Sequence, residues 1–249
     1  MLHAAAPKSL IVPSTPRLLS AVDATWPAAA MHEVGPWLIR EGHGGGKRVS
    51  AATAEAPVTE ADIPLAEAMH RKLGQTPLFW IRPGDEALDA MLEARGYKVV
   101  DPVDLRAAHV SAFDAPELMF SFPHWPPLAM AQDIWRETGI GPERQAVMLR
   151  PRGPVTAFIA RSPERLDRAC GTAFAAIDRD IAMIHAVEVL PALRRQGSAH
   201  NMLRSAAWWA QQNGAEWLAL AVTQANEGAA RLYASLNMGI VGQYHYRSA

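Results

Sequence analysis

The sequence predicts an α/β protein with a mixed sheet flanked by helices, and three observations support this. Strand-like and helix-like segments alternate along all 249 residues. The segment 217–222 is continuously apolar, which is typical of a strand buried on both faces. The composition, 49% hydrophobic and 20% charged, is that of an ordinary soluble globular chain.

Composition also excludes several classes of function. No apolar run reaches the roughly 18–20 residues that a membrane span needs. The charges balance, with 24 Lys and Arg against 25 Asp and Glu, which argues against a nucleic-acid partner. The single cysteine, Cys170, cannot form an internal disulfide or a cysteine-based metal site, and no His, Asp or Glu cluster has metal-ligand spacing. We therefore expect a cytoplasmic monomer or homodimer that acts on a small molecule and binds no metal.

In the first third of the chain, Thr59 and Asp62 give a Thr-x-x-acid signal for the start of a helix. A glycine-rich stretch at 42–46 is expected to form a flexible turn between two strands. The other predicted elements here are strands at 36–40, 47–54, 77–82 and 97–103 and a helix at 85–96.

The second half repeats the alternation at greater length. Residues 110–127 lack periodicity and are interpreted as a connector that packs on the protein. We expect helices at 128–139, 198–213 and 226–237, an antiparallel meander of four strands at 144–150, 155–161, 168–178 and 181–190, and further strands at 217–222 and 238–247.

An internal repeat is indicated at an offset of 141 residues, which aligns Asp85 with Asn226 without a gap. Gly96 then falls on Asn237, and both residue types tolerate the left-handed conformation that ends a helix. This pattern suggests two copies of one unit, of which the first is reduced.

The segment 184–199 is the most informative for chemistry. A strand runs into a turn with Pro191, and the loop from Arg194 to Ala199 opens a helix. Free N–H groups and the helix dipole favour an anion at such a place, and Gly197 lets the anion approach because it has no Cβ. A plain turn with a solvated arginine pair is the alternative interpretation.

This stretch resembles the coenzyme A-binding motif of the GCN5-related N-acetyltransferases (GNAT), Gln/Arg-x-x-Gly-x-Gly/Ala, which Arg194, Gly197 and Ala199 match. Val189-Leu190-Pro191 resembles the family's Val-x-Pro before that loop. The segment 226–238 resembles its Asn-x-x-Ala-x-x-Leu-Tyr-x-x-Leu-Gly-Phe signature, with Asn and Met in place of the final Gly-Phe. The resemblance covers about residues 128–249.

The resemblance implies a strongly bent mixed sheet in which strands 184–190 and 216–222 splay apart. The pantetheine arm of acetyl-CoA, the expected cosubstrate, would lie in the gap. The implied binding residues for the arm are Val187 and Val189, with Asn226 reaching the arm or the nearby backbone and Tyr233 at the thioester end. Those implied for the diphosphate are Arg194, Arg195, Gln196, Gly197, Ser198 and Ala199.

The implied activity is acetyl transfer to the amine of a small molecule or peptide. Tyr233 occupies the family position for the acid that protonates the departing sulfur. His185 is favoured as base over Glu188, and these two residues should point to opposite faces of their strand unless a bulge intervenes. A base acting through water is a third possibility, and a catalytically silent acyl-CoA sensor on the same fold is the alternative function.

The whole chain resembles tandem-repeat members of the family. At the offset of 141 residues, Leu92 takes the place of Tyr233, and the first half has no Arg-x-x-Gly-x-Ala loop. We therefore expect residues 1–112 to form a degenerate GNAT-like domain and residues 113–249 the catalytic domain.

Overall fold

A computed structural model describes residues 11–117 and 119–249 and confirms a mixed α/β fold. One eleven-stranded sheet runs through it, in the order β1-β2-β3-β4-β11-β5-β10-β9-β8-β7-β6. The helices are α1 (Thr15–Thr25), α2 (Ile63–Lys72), α3 (Glu86–Ala94), α4 (Ala129–Glu137), α5 (Pro142–Val147), α6 (Ser198–Gln212) and α7 (Glu227–Ser235). The strands are β1 (Ala30–Val34), β2 (Trp37–Glu41), β3 (Ala52–Ala54), β4 (Leu78–Ile81), β5 (Lys98–His109), β6 (Ser121–His124), β7 (Val155–Arg161), β8 (Ala169–Asp178), β9 (Ile181–Val189), β10 (Trp217–Thr223) and β11 (Gly239–Ser248).

The two halves of the chain exchange strands at the middle of the sheet. β5, from the first half, pairs antiparallel with β10 and with β11 of the second half. β11 in turn lies between β4 and β5. Each half therefore completes the hydrogen bonding of the other. The division at residues 112 and 113 stays a prediction, because the sheet is continuous across it.

The unit predicted to recur is present twice with matching limits. Shifting α3 by 141 residues places it on α7, and β5 then begins where β11 begins. Both helices are followed by a left-handed residue, Gly96 at φ 88° and Asn237 at φ 57°. Gly96 and Asn237 thus adopt the left-handed conformation that the sequence analysis expected at the ends of these helices.

Several element predictions were wrong. Residues 144–150 do not form a strand, because α5 begins with Pro142 and Glu143, residues that suit a first helical turn, and buries Val147. The meander consequently has three successive strands, β7 to β9. The segment 47–54 is a strand only in β3, and the connector contains β6, which pairs with β7. Helix α1 was not predicted at all.

The sheet is covered on both faces around β8 and β9. Helix α6 packs on one face through a largely aliphatic cluster that includes Met202, Leu203 and Ala206. The opposite face carries an aromatic cluster that includes Trp26, Trp135 and Phe174. This second face is where α1 and α4 meet the strands.

Asp89 joins α3 to the exchanged strand β11. Its Oδ1 accepts from Arg247 Nε at 2.6 Å and its Oδ2 from Arg247 Nη2 at 2.9 Å, while His245 Nε2 lies 2.8 Å from Oδ1. Arg247 is buried, and its guanidinium holds the pKa of Asp89 down at about 2. The pair fixes β11 against the first half of the chain.

We predict that Asp89→Asn lowers the free energy of unfolding by about 2 kcal/mol, because it removes the carboxylate closest to a buried guanidinium and leaves only the more distant Glu93. Urea denaturation of the whole chain measures this. Asp167→Asn removes the partner of the exposed Arg165 and serves as the control, with an expected change of less than about 0.5 kcal/mol. Equal losses in the two variants would contradict the assigned role of Asp89.

Candidate active site

Strands β9 and β10 part, as the family resemblance implied. They pair in parallel only from Ile181 to Met183, opposite 217–219. β10 remains paired with β5 along its whole length, so it is β9 that loses its neighbour. A cavity of 540 Å³ lies at the opening and is bounded by the end of β9, the following loop and α7. The lining residues include Val187, Glu188, Val189, Arg194, Arg195, Gly197, Ser198, Ala199, Asn226 and Tyr233.

The loop before α6 presents free backbone donors. Among the described residues, none of the amides of residues 196–199 donates a hydrogen bond to the backbone or to a side chain. Gly197 caps the helix in the left-handed region at φ 84°, and no protein atom lies within 4 Å of the place where its Cβ would stand. The side chain of Ser198 is turned inward, where its Oγ accepts from Cys170 Sγ at 3.3 Å. The loop is therefore open where an anion would have to enter.

The two arginines of the loop have different surroundings. Arg194 folds back along β9, and its Nε donates to the carbonyl of Val189 at 2.9 Å. Arg195 is exposed on the cavity with φ 67° and has no carboxylate within 4 Å among the described residues. Gln196 does not line the cavity with its side chain, whose buried Oε1 has no partner in the described chain.

Asn226 and Tyr233 enter the cavity from α7. Asn226 caps the helix, its Oδ1 accepting from the amide of Ala229 at 3.1 Å. Tyr233 is 7% exposed, and its hydroxyl forms no hydrogen bond with the described residues. Burial and then the charge of Glu188 raise the pKa of Tyr233 to about 12, against an opposing effect of Arg106. The phenol is thus protonated and available as a donor.

A β-bulge in β9 changes which way its side chains point. Glu188 pairs with Thr172 and His185 with Phe174, so one extra residue lies between them on β9. Because positions 172 and 174 share a face of β8, His185 and Glu188 share a face as well. The expectation of opposite faces is therefore wrong, because a bulge, the exception that the sequence analysis allowed, is present.

The bulge is held by specific contacts. Ala186 has φ 51°, a left-handed conformation that costs energy for a residue with a Cβ. Trp135 of α4 is fully buried and donates from its Nε1 to the carbonyl of Ala186 at 2.8 Å. The carbonyl turned out of the sheet is thereby satisfied.

Glu188 faces the cavity beside positive charges. Its carboxylate lies 4.0 Å from Arg194 Nη2, and its side chain is 27% exposed. Burial raises the pKa of Glu188, and Arg194 and Arg144 oppose this effect. A carboxylate whose pKa is raised holds a proton more readily than a free one, which suits a general base.

His185 lies outside the cavity and is enclosed. It is 6% exposed and packs against Trp26 and Phe174, with ring centroids 5.0 and 6.2 Å away. Its Nε2 lies 2.9 Å from Thr25 Oγ1, and its Nδ1 lies 3.2 Å from Arg48 Nη1. Burial, and next Arg48, hold its pKa well below the ordinary value of 6.5.

The tautomer of His185 follows from its partners. The single hydroxyl proton of Thr25 is donated to the carbonyl of Ala21 at 2.6 Å, so Thr25 accepts from His185 Nε2. The lone pair on Nδ1 then accepts from Arg48. The ring is neutral, and both of its nitrogens are engaged.

Sequence reasoning missed four side chains around β9, namely Thr25, Arg48, Trp135 and Arg144. It also misjudged the glycine-rich turn, which is packed rather than flexible. A Cβ on Gly45 would stand 2.7 Å from Val147 of α5. That close approach places the following Arg48 next to His185. The glycines were visible in the sequence, but no pattern there linked them to α5.

Comparison with known proteins adds to this geometry. Residues 117–238 match the family model described as "Acetyltransferase (GNAT) family". A curated protein of Bacillus subtilis strain 168, "Uncharacterized N-acetyltransferase YobR", is 26% identical over 234 residues, which cover 90% of this chain and 94% of that protein.

Two solved structures share the fold. A GCN5-related N-acetyltransferase from Kribbella flavida aligns with a TM-score of 0.63 at 21% identity, over 93% of this chain and 94% of that one. A tandem GNAT protein from the clavulanic acid biosynthesis pathway aligns with a TM-score of 0.59 at 13% identity, over 80% of this chain and 74% of its own.

The family match and the N-acetyltransferase relative support an acyltransferase enzyme. Residues 117–238 are an acetyltransferase segment of the GNAT family, and the fold of the chain is like that of solved GNAT structures. Within the described residues, no group of His, Cys, Asp and Glu could hold a metal ion, and no helix is long and apolar enough to cross a membrane.

We predict that Gly197→Ala lowers the free energy of unfolding by about 1–2 kcal/mol, because the left-handed φ is strained for alanine although space is available. Gly239→Ala is the matched control, since its Cβ also meets nothing and its φ is ordinary. Thermal and urea unfolding compare the two variants. A neutral Gly197→Ala variant would show that the loop does not hold this conformation.

Proposed function

We propose that the protein is an acetyl-CoA-dependent N-acetyltransferase whose cosubstrate lies between β9 and β10. The observation that carries the proposal is the set of unpaired amides at residues 196–199, which open on the same cavity as Tyr233 and Glu188. Donors at one end and candidate acid and base groups at the other suit a long ligand with a diphosphate and a reactive thioester.

The cavity offers what coenzyme A requires. A diphosphate needs several donors and positive charge, which the loop amides, the start of α6 and Arg195 supply. The pantetheine arm carries amide groups that can pair with a strand edge, and β9 has no β10 partner beyond Met183. In this proposal Val187 and Val189 receive the arm, and the free Nδ2 of Asn226 faces it.

The proposed mechanism needs one base and one acid. An amine is protonated at neutral pH, so Glu188 first takes its proton. The neutral amine then attacks the thioester carbonyl, and Tyr233 gives its proton to the sulfur as the carbon–sulfur bond breaks. The second proton, which the nitrogen loses as it becomes an amide, returns to Tyr233. The pKa of about 12 keeps Tyr233 protonated until that moment.

We assign His185 a positioning role rather than that of the base. It lies outside the cavity, and both of its nitrogens are engaged, by Thr25 and by Arg48. Through its Nδ1, His185 can orient the side chain of Arg48. This ranking reverses the order expected from the sequence.

The first half of the chain is proposed to be non-catalytic. Leu92, which corresponds to Tyr233, is fully buried in the apolar cluster of that half. The half nevertheless contributes β5 to the sheet beside β10 and Arg48 to the surroundings of His185. The likeness to a tandem GNAT protein supports an origin by repetition.

Thermal shift with coenzyme A and thiol release from acetyl-CoA test the proposal together. Coenzyme A should raise the melting temperature by mass action. Thiol release that depends on an added amine, from a panel of amino acids, polyamines and peptides, identifies the acceptor. Binding without any amine-dependent release would favour the silent sensor, and no shift at millimolar coenzyme A would contradict both functions.

We predict that Tyr233→Phe lowers kcat about 100-fold or more, since it removes the proton for the leaving sulfur but keeps the ring. The thermal shift with coenzyme A should persist. Tyr97→Phe is the control, because that hydroxyl bonds to Glu67 and neither residue lines the cavity. Unchanged turnover in Tyr233→Phe would remove the assigned acid.

The pH dependence of kcat tests Glu188. Its pKa is raised above 4.5, so activity should fall as the pH drops through that higher value and protonates the base. No loss is expected on the alkaline side below about pH 10, since Tyr233 remains protonated there. Glu188→Gln should lower kcat about 100-fold and abolish the acidic limb. A variant that keeps that limb would show that another group titrates.

A further inference from the structure

Arg48 carries a charge that the described chain does not neutralise. No carboxylate lies within 4 Å of its guanidinium among residues 11–117 and 119–249. Its Nη1 lies 3.2 Å from Nδ1 of the neutral His185, and the phenol groups of Tyr244 and Tyr246 lie close by. Its Nε is buried without a partner. Arg48 is half-buried, and charges withdrawn from water are ordinarily paired, so this guanidinium can receive an anion from outside the chain.

A second arginine lies beside it. Arg144 of α5 packs against the glycine-rich turn, where its Nε is 3.8 Å from the Cβ position of Gly46. It has no hydrogen bond or ion pair to any other described residue, and the charges of both Arg48 and Glu188 act on it. The two guanidinium groups repel each other, and an anion bound by both would relieve that repulsion.

The pair is distinct from the proposed diphosphate site. Neither Arg48 nor Arg144 lines the cavity between β9 and α7. Arg48 contacts the face of β9 that carries His185 and Glu188, whereas the free amides belong to the loop beyond the end of that strand. Glu188 is the group common to both regions. An acceptor whose amine gives its proton to Glu188, as proposed above, would therefore lie next to this arginine pair.

We infer that the acceptor is an amine that also bears an anionic group, such as a carboxylate, which Arg48 and Arg144 bind while Glu188 faces the ammonium. This inference rests on the proposed function and specifies its substrate class. Paired guanidinium groups and a nearby carboxylate are complementary to a small molecule with one charge of each sign, such as an amino acid.

The test uses sets of amines matched in size, with a carboxylate, with a phosphate or with neither. Their binding to the coenzyme A-loaded protein is measured by calorimetry, and their kcat/KM by thiol release. The anionic members should be favoured about tenfold or more by both measures, since hydrogen bonds to charged groups have that strength. Comparison of the carboxylate-bearing amines with the phosphate-bearing amines then shows which anion Arg48 and Arg144 bind.

Two variants assign the preference to the arginines. Arg48→Gln and Arg144→Gln should each reduce the anionic preference about tenfold, and coenzyme A should still stabilise both proteins. Arg144 is exposed, so its variant remains informative if Arg48→Gln fails to fold. Arg165→Gln, in the loop after β7 and paired with Asp167, is the control and should keep the full preference.

The outcomes separate this inference from the proposed function. Preferential binding of anionic amines without acetyl transfer would support the inference and count against the proposed function. Acetyl transfer with equal kcat/KM for anionic and neutral amines would do the reverse. A preference that survives in Arg144→Gln, or an equal affinity of the wild-type protein for all members of a set, would overturn the inference.

Discussion

The parting of β9 from β10 is the constraint on which the site depends. Two neighbouring parallel strands would normally satisfy each other's backbone groups, and here they stop doing so after Met183. The strand exchange makes this possible without breaking the sheet, because β5 holds β10 in place along its full length. The cavity therefore forms because the backbone hydrogen bonds between β9 and β10 stop at Met183, and not because a side chain there is small.

The bulge in β9 is the second feature on which the site depends. It costs a left-handed residue at Ala186, and the bond from Trp135 to the carbonyl of that residue offsets part of the cost. In return, His185 and Glu188 face the same way. On this face of β9, Glu188 lines the cavity, and His185, earlier in the strand, contacts Arg48. Neutral His185, fixed by Thr25, is what makes the position of that arginine definite.

The parts of the site that follow from short stretches of sequence were predictable. The loop at 194–199 and the segment 226–238 carry their own conformational signals, such as Gly197 at a positive φ and Asn226 at a helix start. The alternation of strands and helices likewise indicated the fold class, which the structural comparisons confirm. The repeat at 141 residues was visible because it has no gap.

What the sequence could not show depends on contacts across long separations. Arg48 meets His185 over 137 positions, and Thr25 meets the same ring over 160. The even–odd rule misplaced His185 relative to Glu188 because a bulge leaves no local mark. Helix α5 was misjudged as a strand because a six-residue helix offers too little periodicity to distinguish it from one.

A crystal structure with bound coenzyme A examines the central claim most directly. The diphosphate should lie within hydrogen-bond distance of the amides of residues 196–199, with the pantetheine arm along β9 and the sulfur beside Tyr233. Coenzyme A bound elsewhere on the protein, with the gap between β9 and β10 empty, would contradict the assignment of this cavity.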